Sequence, residues 1–565
     1  MPADPEWTPE ELDLAPEMPD TDSECESDDE GGVVGGAAAA AARGARAAPP
    51  AGPRRYVWRG RPLRRPAHPF TARTGQDLPR RRGLWTPLAV WMKFTGPSIL
   101  QLIVRETNLY AAQLRRMDRP RFVRDDHPWP PRFLDKWQIL DVPELRVFLG
   151  LSYGFGLVRL PRVRDYWSRS KFFYQFPSVR GCMSRNRFLA IKRCLHFVNI
   201  EDPLLDVLDP FYKVRPLLKS LLDKSRRWYH AGQNLALDEM MQCCHNRSCP
   251  RVVFRPPRKK TNGLKIWAIC EAQTGYCCSF RVAYKGGPTI SETVMTLVRD
   301  LSASFHRIHM DNLFTKPGLF QQMLEAKQYA CGTWCANFGV PEALKPAANK
   351  ALGKGAYKWL TAEPRLLGVA WRDSKVLNLL SSFHAQDDVG VVQRRESGHV
   401  GRVTIPAPTL AIDYNRNMGA VDEMDALRAS YTTARPCRRW YLALFYWWLD
   451  MTAIQSMIVY RDLGIRITHA DFVHELAVSL IAQGRGEDAV RLPEIRKRRR
   501  VALPHASGGR LRPGMHLAVK ASCRQRCHRC SKKYGREKKT RITCATCQRH
   551  FCLACFEPYH REQGQ

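Results

Sequence analysis

Four aspartates form the pattern with the clearest chemical content. Asp238 sits in the apolar run LALDEM, Asp311 closes IHMD, and Asp422 and Asp425 share AVDEMD. Residues three apart lie on nearly the same face of a helix, so Asp422 and Asp425 would be neighbours there. Carboxylates gathered from distant parts of a chain suit a two-ion site for phosphoryl transfer. In such a site two Mg²⁺ ions roughly 3.5–4 Å apart steady the attacking and leaving oxygens. Mg²⁺ prefers hard oxygen ligands, and the short aspartate side chain keeps the ions close to the backbone. Each residue also has a plain structural reading: Asp422 as a helix cap, Asp311 with Asn312 as a turn. What favours chemistry is the placement of the trio within one order of elements.

That order begins near Asn234. The runs LALDEM, LKIWAIC and CCSFRVAY predict three strands. TISETVMTLVRDLSAS predicts a helix with Ile290, Val294, Leu297, Val298 and Leu301 on one face. HRIHMD predicts a strand, residues 317–327 a helix, and YACGTW a strand. Three strands, helix, strand, helix, strand is the order of a ribonuclease-H-like α/β core. Its first and fourth strands are neighbours, which would bring Asp238 to Asp311. A last helix, starting near Gly419, would deliver Asp422. Residues 231–335 and 409–431 are read as the two parts of this domain. A β-rich insertion (YKWLTA, LLGVAW, KVLNLLSSF) lies between them at 336–408.

The flanks read differently. Residues 86–230 and 432–490 carry apolar positions at helical spacing and predict an all-α domain in two parts. The run from Trp440 to Tyr460 is long enough to span a bilayer, but Asp450 in its middle argues for a buried helix. Residues 1–85 are acidic, then rich in Ala and Gly, then rich in Arg. That composition buries too little to offset ordering and predicts disorder. Residues 1–20 are acidic and lack an apolar core, so no secretory signal is read.

Lysine plus arginine number 89 against 54 acids, a net charge of +35. Such a surplus points to a polyanion, because each phosphate neutralised releases counterions. It speaks for nucleic acid and not for a reaction, since histone-like proteins share it. Arg255, Arg258, Lys259 and Lys260 crowd one stretch after Asp238 and read as phosphate contacts or as a solvated hairpin. In the basic linker 491–520, RKRRR (496–500) reads as a nuclear import signal or a DNA contact.

The chain has 19 cysteines, and the last segment, 521–565, concentrates them. Three C-x2-C pairs stand at Cys527 and Cys530, Cys544 and Cys547, and Cys552 and Cys555, with His560 after them. Structural zinc takes four thiolate or imidazole ligands in a tetrahedron. Seven candidates nearly fill two sites. If the first and third pairs share one Zn²⁺, the second pair and His560 need a fourth ligand from His550, His528 or Cys523. Basic residues in the loop (Lys532, Lys533, Arg536, Lys538, Lys539, Arg541) favour DNA over a RING-like or histone-reading module. The cluster Cys243, Cys244, His245 and Cys249 reads as reduced thiols beside a strand.

Six stretches, in order, resemble the piggyBac transposase family. They are LALDEMM, FRPPRKKTNGLKIWAICEAQTGY, HRIHMDNLFT, CGTWCANFGVP, AIDYNRNMGAVDEMDALRASY and CFEPYH. The resemblance implies a DNA transposase that excises its element through hairpin ends and inserts it at TTAA sites, as a nuclear homodimer with two Mg²⁺. It implies that Asp238, Asp311 and Asp422 are the catalytic triad and Asp425 a further acid at the metal site. It also implies that Trp440 works near the transposon end, that the helical segments dimerise and bind DNA, and that the cysteine module binds the end. The chain departs from the family at Cys335 and Phe338, where basic residues usually hold target DNA. It departs again in MMQCCHNRSC. A domesticated DNA-binding descendant without catalysis is the alternative.

Overall fold

The computed structural model describes residues 56–63, 67–80, 83–117, 131–168, 177–244, 249, 263–395, 402–435, 439–486, 516 and 518–562. The chain forms two compact units, Met1–Val490 and Arg491–Gln565, each considered by itself.

In the first unit a short strand β1 (Gly75–Gln76) precedes helices α1 (Pro87–Phe94), α2 (Gly96–Arg116), α3 (Val142–Leu157), α4 (Arg185–Cys194) and α5 (Arg215–Trp228). Local chemistry starts several of them. Thr86, Asp141 and Ser184 cap α1, α3 and α4 by accepting the N–H three residues on, which satisfies donors the helix leaves free. Strand β2 (Tyr229–His230) pairs with β1.

The sheet is built on β3 (Asn234–Cys243), β4 (Gly263–Glu271) and β5 (Cys277–Val282), then α6 (Ile290–Arg299), β6 (Arg307–Met310), α7 (Pro317–Glu325) and β7 (Tyr329–Thr333). This is the order expected from the apolar runs. Thr289 and Glu292 close a capping box at the start of α6. Next come β8 (Tyr357–Ala362), β9 (Leu366–Arg372), β10 (Val376–Ser381), β11 (Val389–Arg395) and β12 (Arg402–Pro408). One eight-stranded sheet runs β5-β4-β3-β6-β7-β10-β9-β8, with β3, β6 and β7 parallel to one another.

Two expectations change here. The strands read as an insertion at 336–408 are not separate: β8, β9 and β10 extend the main sheet through β7, and β11 and β12 form a ribbon of their own. Pairing of β10 with β7 spans distant chain positions, so local pattern does not encode it. The second change concerns 1–85, read as disordered. Residues 56–63 and 67–70 run along the sheet, and Gly75–Gln76 pair with β2. Arg59 bridges Thr361 at the sheet edge, Trp58 lies 5.2 Å from Trp334, and Tyr56 Oη donates to Gln321 at 2.9 Å. A few aromatic anchors hold a segment whose composition is otherwise polar. Residues 1–55 lie outside the described residues.

The chain then forms α8 (Thr409–Asn417), α9 (Ala420–Ser430), α10 (Trp440–Asp462) and α11 (His469–Gly484). Helix α10 is buried from Trp440 to Tyr460, as a core helix and not a membrane span. Its Asp450 is accommodated because Thr432 Oγ1, Thr433 N and Thr433 Oγ1 donate to it at 2.6, 2.8 and 2.6 Å.

The second unit holds β13 (Ala518–Arg526), α12 (His528–Tyr534), β14 (Lys539–Cys544) and α13 (Leu553–Glu562). Gly535 ends α12 in the left-handed region at φ 60°. The cysteine-rich core includes Phe551 and little other apolar side chain.

Candidate active site and candidate metal centres

Strands β3 and β6 run parallel with Leu237 beside Met310. Asp238 follows Leu237 on β3, and Asp311 is the first residue after β6. The chain thus leaves β6 at Asp311 beside the part of β3 that carries Asp238. Helix α9, which carries Asp422 and Asp425, packs on the face of β3 that carries Asp238. Its Arg428 reaches Gln242 Oε1 on β3 at 2.7 Å, and Gln242 shares the face of Asp238 by even spacing. Asp422 lies exposed in the first turn of α9.

Other groups shape the acid pair. Thr333 Oγ1 donates to Asp311 Oδ1 at 3.2 Å, and the backbone N–H of Asn312 donates to the same oxygen at 2.5 Å. Glu239 N donates to Asp238 Oδ1 at 2.8 Å. Tyr414 of α8 bonds Thr333. Burial, then the charges of Asp311 and Asp238, push its phenol up to about 12. Among the described residues only two groups of three or more potential ligands close to within 4.8 Å of one another, and the aspartates are in neither. Asp425 instead pairs with Arg428 at 2.8 Å.

Beneath α8 lies a buried polar chain. His384 faces Ser381 Oγ at 2.8 Å through Nδ1 and Asp413 at 3.2 Å through Nε2. Burial lowers the His384 pKa despite Asp413, while the bond to His384 holds the Asp413 carboxyl below its usual range. Ser381 is fully buried, so this Ser–His–Asp chain fastens α8 to β10 and presents no nucleophile.

The expected DNA contacts fare unevenly. Arg255, Arg258, Lys259 and Lys260 lie outside the described residues, as do His245 and the RKRRR run. Trp440 is only 4% exposed and packs edge-on to Phe211 and Tyr441, so in this conformation its ring is not offered to DNA. The turn at Cys335 and Phe338 closes through Phe338 N to Cys335 O at 2.9 Å, and Lys316 lies over the Phe338 ring at 4.7 Å.

The second unit brings its cysteines together as two groups: Cys527, Cys530, Cys552 and Cys555, and His516, Cys544, Cys547 and His560. The interleaving matches expectation. The fourth ligand of the second group corrects it: His516 stands there, not His550, His528 or Cys523. The linker boundary at 520 had set His516 apart. The donors fit a tetrahedral ion. Cys530 Sγ lies 3.8 and 3.5 Å from Cys552 Sγ and Cys555 Sγ, against an edge of about 3.8 Å around tetrahedral zinc. His516 Nδ1 to Cys544 Sγ and Cys547 Sγ to His560 Nε2 are both 3.3 Å. His560 Nδ1 faces Phe556 O at 2.6 Å, which leaves Nε2 turned inward as a lone-pair donor.

Comparison with known proteins follows this geometry. A family model described as Transposase IS4 matches residues 86–457, well over half of the chain, and the chain belongs to that family. It is of the piggyBac type. PiggyBac transposable element-derived protein 3 of Homo sapiens is 24% identical over 370 residues, 63% of this chain and 58% of that protein. PiggyBac transposable element-derived protein 2 of Homo sapiens is 23% identical over 424 residues, 72% of this chain and 66% of that protein. The chain thus matches less than two thirds of the length of each. A piggyBac transposase, solved as a synaptic complex with hairpin DNA, shares the fold with a TM-score of 0.59 and 22% identity. That match covers 86% of this chain and 98% of the other.

The sequence reading missed Tyr414, Thr333, Gln242, Arg428 and His516. Tyr414 and Arg428 lie inside the family stretch AIDYNRNMGAVDEMDALRASY, and Arg428 stands three residues after Asp425, which was their available signal.

Proposed function

We propose that this protein is a DNA transposase that cuts and joins DNA strands with Asp238, Asp311 and Asp422. What supports the reading is the parallel pairing of β3 with β6, which ends one residue before Asp238 and Asp311, with α9 packed on the face of β3 that carries Asp238. The strand order β5-β4-β3-β6-β7 supports a ribonuclease-H-like core. Hard carboxylate oxygens on adjacent strands suit Mg²⁺. Two such ions, held by Asp238, Asp311 and Asp422, would supply activation of the attacking oxygen and relief of charge on the leaving oxygen. The residues themselves do the positioning: Thr333 and the Asn312 N–H hold the Asp311 carboxylate, and Tyr414 bonds Thr333 in turn.

The substrate is double-stranded DNA: the ends of a piggyBac-like element, opened through hairpins and inserted at TTAA, by a homodimer in the nucleus. The net charge of +35 supports a DNA partner, and the fold relative was solved on hairpin DNA. The second unit takes two structural Zn²⁺ and presents Lys532, Lys533 and Arg536 to the transposon end. The test is end cleavage and hairpin formation by the full chain with Mg²⁺, wild type against Asp238→Ala. Loss in the variant supports the reading.

A second reading is a domesticated DNA-binding protein without catalysis. Its support is Phe338 at a position the family keeps basic, and Trp440 folded into the core. Equal DNA binding by wild type and the aspartate variants, with cleavage by neither, would establish it.

A further inference from the structure

Helix α9 and strand β3 come from chain segments far apart in sequence, yet the proposed site needs Asp422 set accurately against Asp238. Apolar contact through Val421 and Met424 permits the helix to slide along the sheet. One side chain removes that freedom. Arg428, almost wholly buried, donates Nε to Asp425 Oδ1 at 2.9 Å, Nη1 to Gln242 Oε1 at 2.7 Å and Nη2 to Met241 O at 2.9 Å. Two of these bonds cross to β3 and the third, to Asp425 on the same helix, orients the guanidinium, so one planar group fixes α9 against the strand as a point charge does not. The far end of α9 is held separately, because Thr432 and Thr433 just beyond it bond the buried Asp450.

We infer that Arg428 is a positioning residue: its bridge from Asp425 to Gln242 and Met241 sets the separation of Asp422 from the Asp238–Asp311 pair, and with it divalent-ion affinity. The inference rests on the transposase reading. Groups that orient metal ligands typically change metal affinity by about 10–100-fold when removed. Arg428→Lys keeps the charge and loses the fork. Gln242→Met removes one anchor at similar length and leaves the others.

The experiment is Mn²⁺ titration of the zinc-loaded full chain, followed by the electron paramagnetic resonance of free Mn²⁺, with Asp311→Ala defining the background. Thermal melting accompanies each protein. The expected result is an Asp311-dependent Mn²⁺ affinity weakened about tenfold in Arg428→Lys, with a smaller loss in Gln242→Met and folding retained. Asp311-dependent binding unchanged in both variants overturns the inference while the catalytic reading stands. If Arg428→Lys does not fold, Gln242→Met decides, and unchanged affinity there overturns it. Wild type without any Asp311-dependent Mn²⁺ binding overturns the catalytic reading and the inference with it, so the two failures are distinct.

Discussion

Replacing Asp450 by asparagine should change how stability depends on pH. Burial in α10 pushes the Asp450 carboxyl from 3.8 to about 6, against the hydrogen bonds from Thr432 and Thr433. A carboxyl raised on folding binds its proton more tightly in the native state. Stability from this group is therefore fully present below pH 4 and is lost as pH rises through about 6. A shift of about two units corresponds to roughly 3 kcal/mol. Asparagine has nearly the same shape, can still accept from Thr433, and carries no charge. Asp450→Asn should therefore gain about 3 kcal/mol relative to wild type between pH 4 and pH 7.5. For a folded unit of this size that is a relative rise in melting temperature of about 3 °C. Thermal melts of both proteins across that pH range measure it. Two curves that stay parallel would refute the claim that Asp450 is buried with a raised pKa.

Other perturbations bear on separate parts of the account. His516→Ala should lower bound zinc from two equivalents per chain to one, whereas His528→Ala should leave two; elemental analysis of purified protein decides, and a reversed result removes His516 from the site. Gly332→Ala drives a Cβ into Thr315 Oγ1 and the backbone carbonyl of Met310, one residue from Thr333. Overpacking against backbone should cost about 1–3 kcal/mol in denaturant melts, and no loss would contradict that close approach. Cys335→Arg together with Phe338→Arg should raise integration relative to excision in a cell-based assay, and an unchanged ratio would remove that turn from target capture.

Much of the site was legible because it is local. LALDEM, LKIWAIC and IHMD are short apolar runs with strand-forming residues, and each became the expected strand, with Asp238 on β3 and Asp311 just after β6. The C-x2-C spacing forces ligands together over a few residues, so the interleaved groups were readable too. What escaped depends on tertiary contact. Helix α8, with Pro408 ahead of it and Asn417 at its end, is too short to show periodicity, yet it brings Tyr414 to Thr333, which bonds Asp311. The joining of β10 to β7 is a long-range pairing with no local mark. The resemblance implies that Trp440 works near the transposon end, but Phe211 from a distant turn packs against it. His516 sits in a basic stretch whose composition hides a ligand. The strap at 56–80 is held by Trp58 and Tyr56 against an otherwise polar background.

The central claim is that Asp311, set beside Asp238, works in metal-dependent strand cleavage. The most direct measurement is excision in cells from a reporter carrying the element's own ends, wild type against Asp311→Ala, with nuclear protein level and end binding checked for both. The account predicts seamless TTAA repair products with wild type and none with Asp311→Ala. Equal excision by the two proteins, or none by either despite end binding, would contradict it.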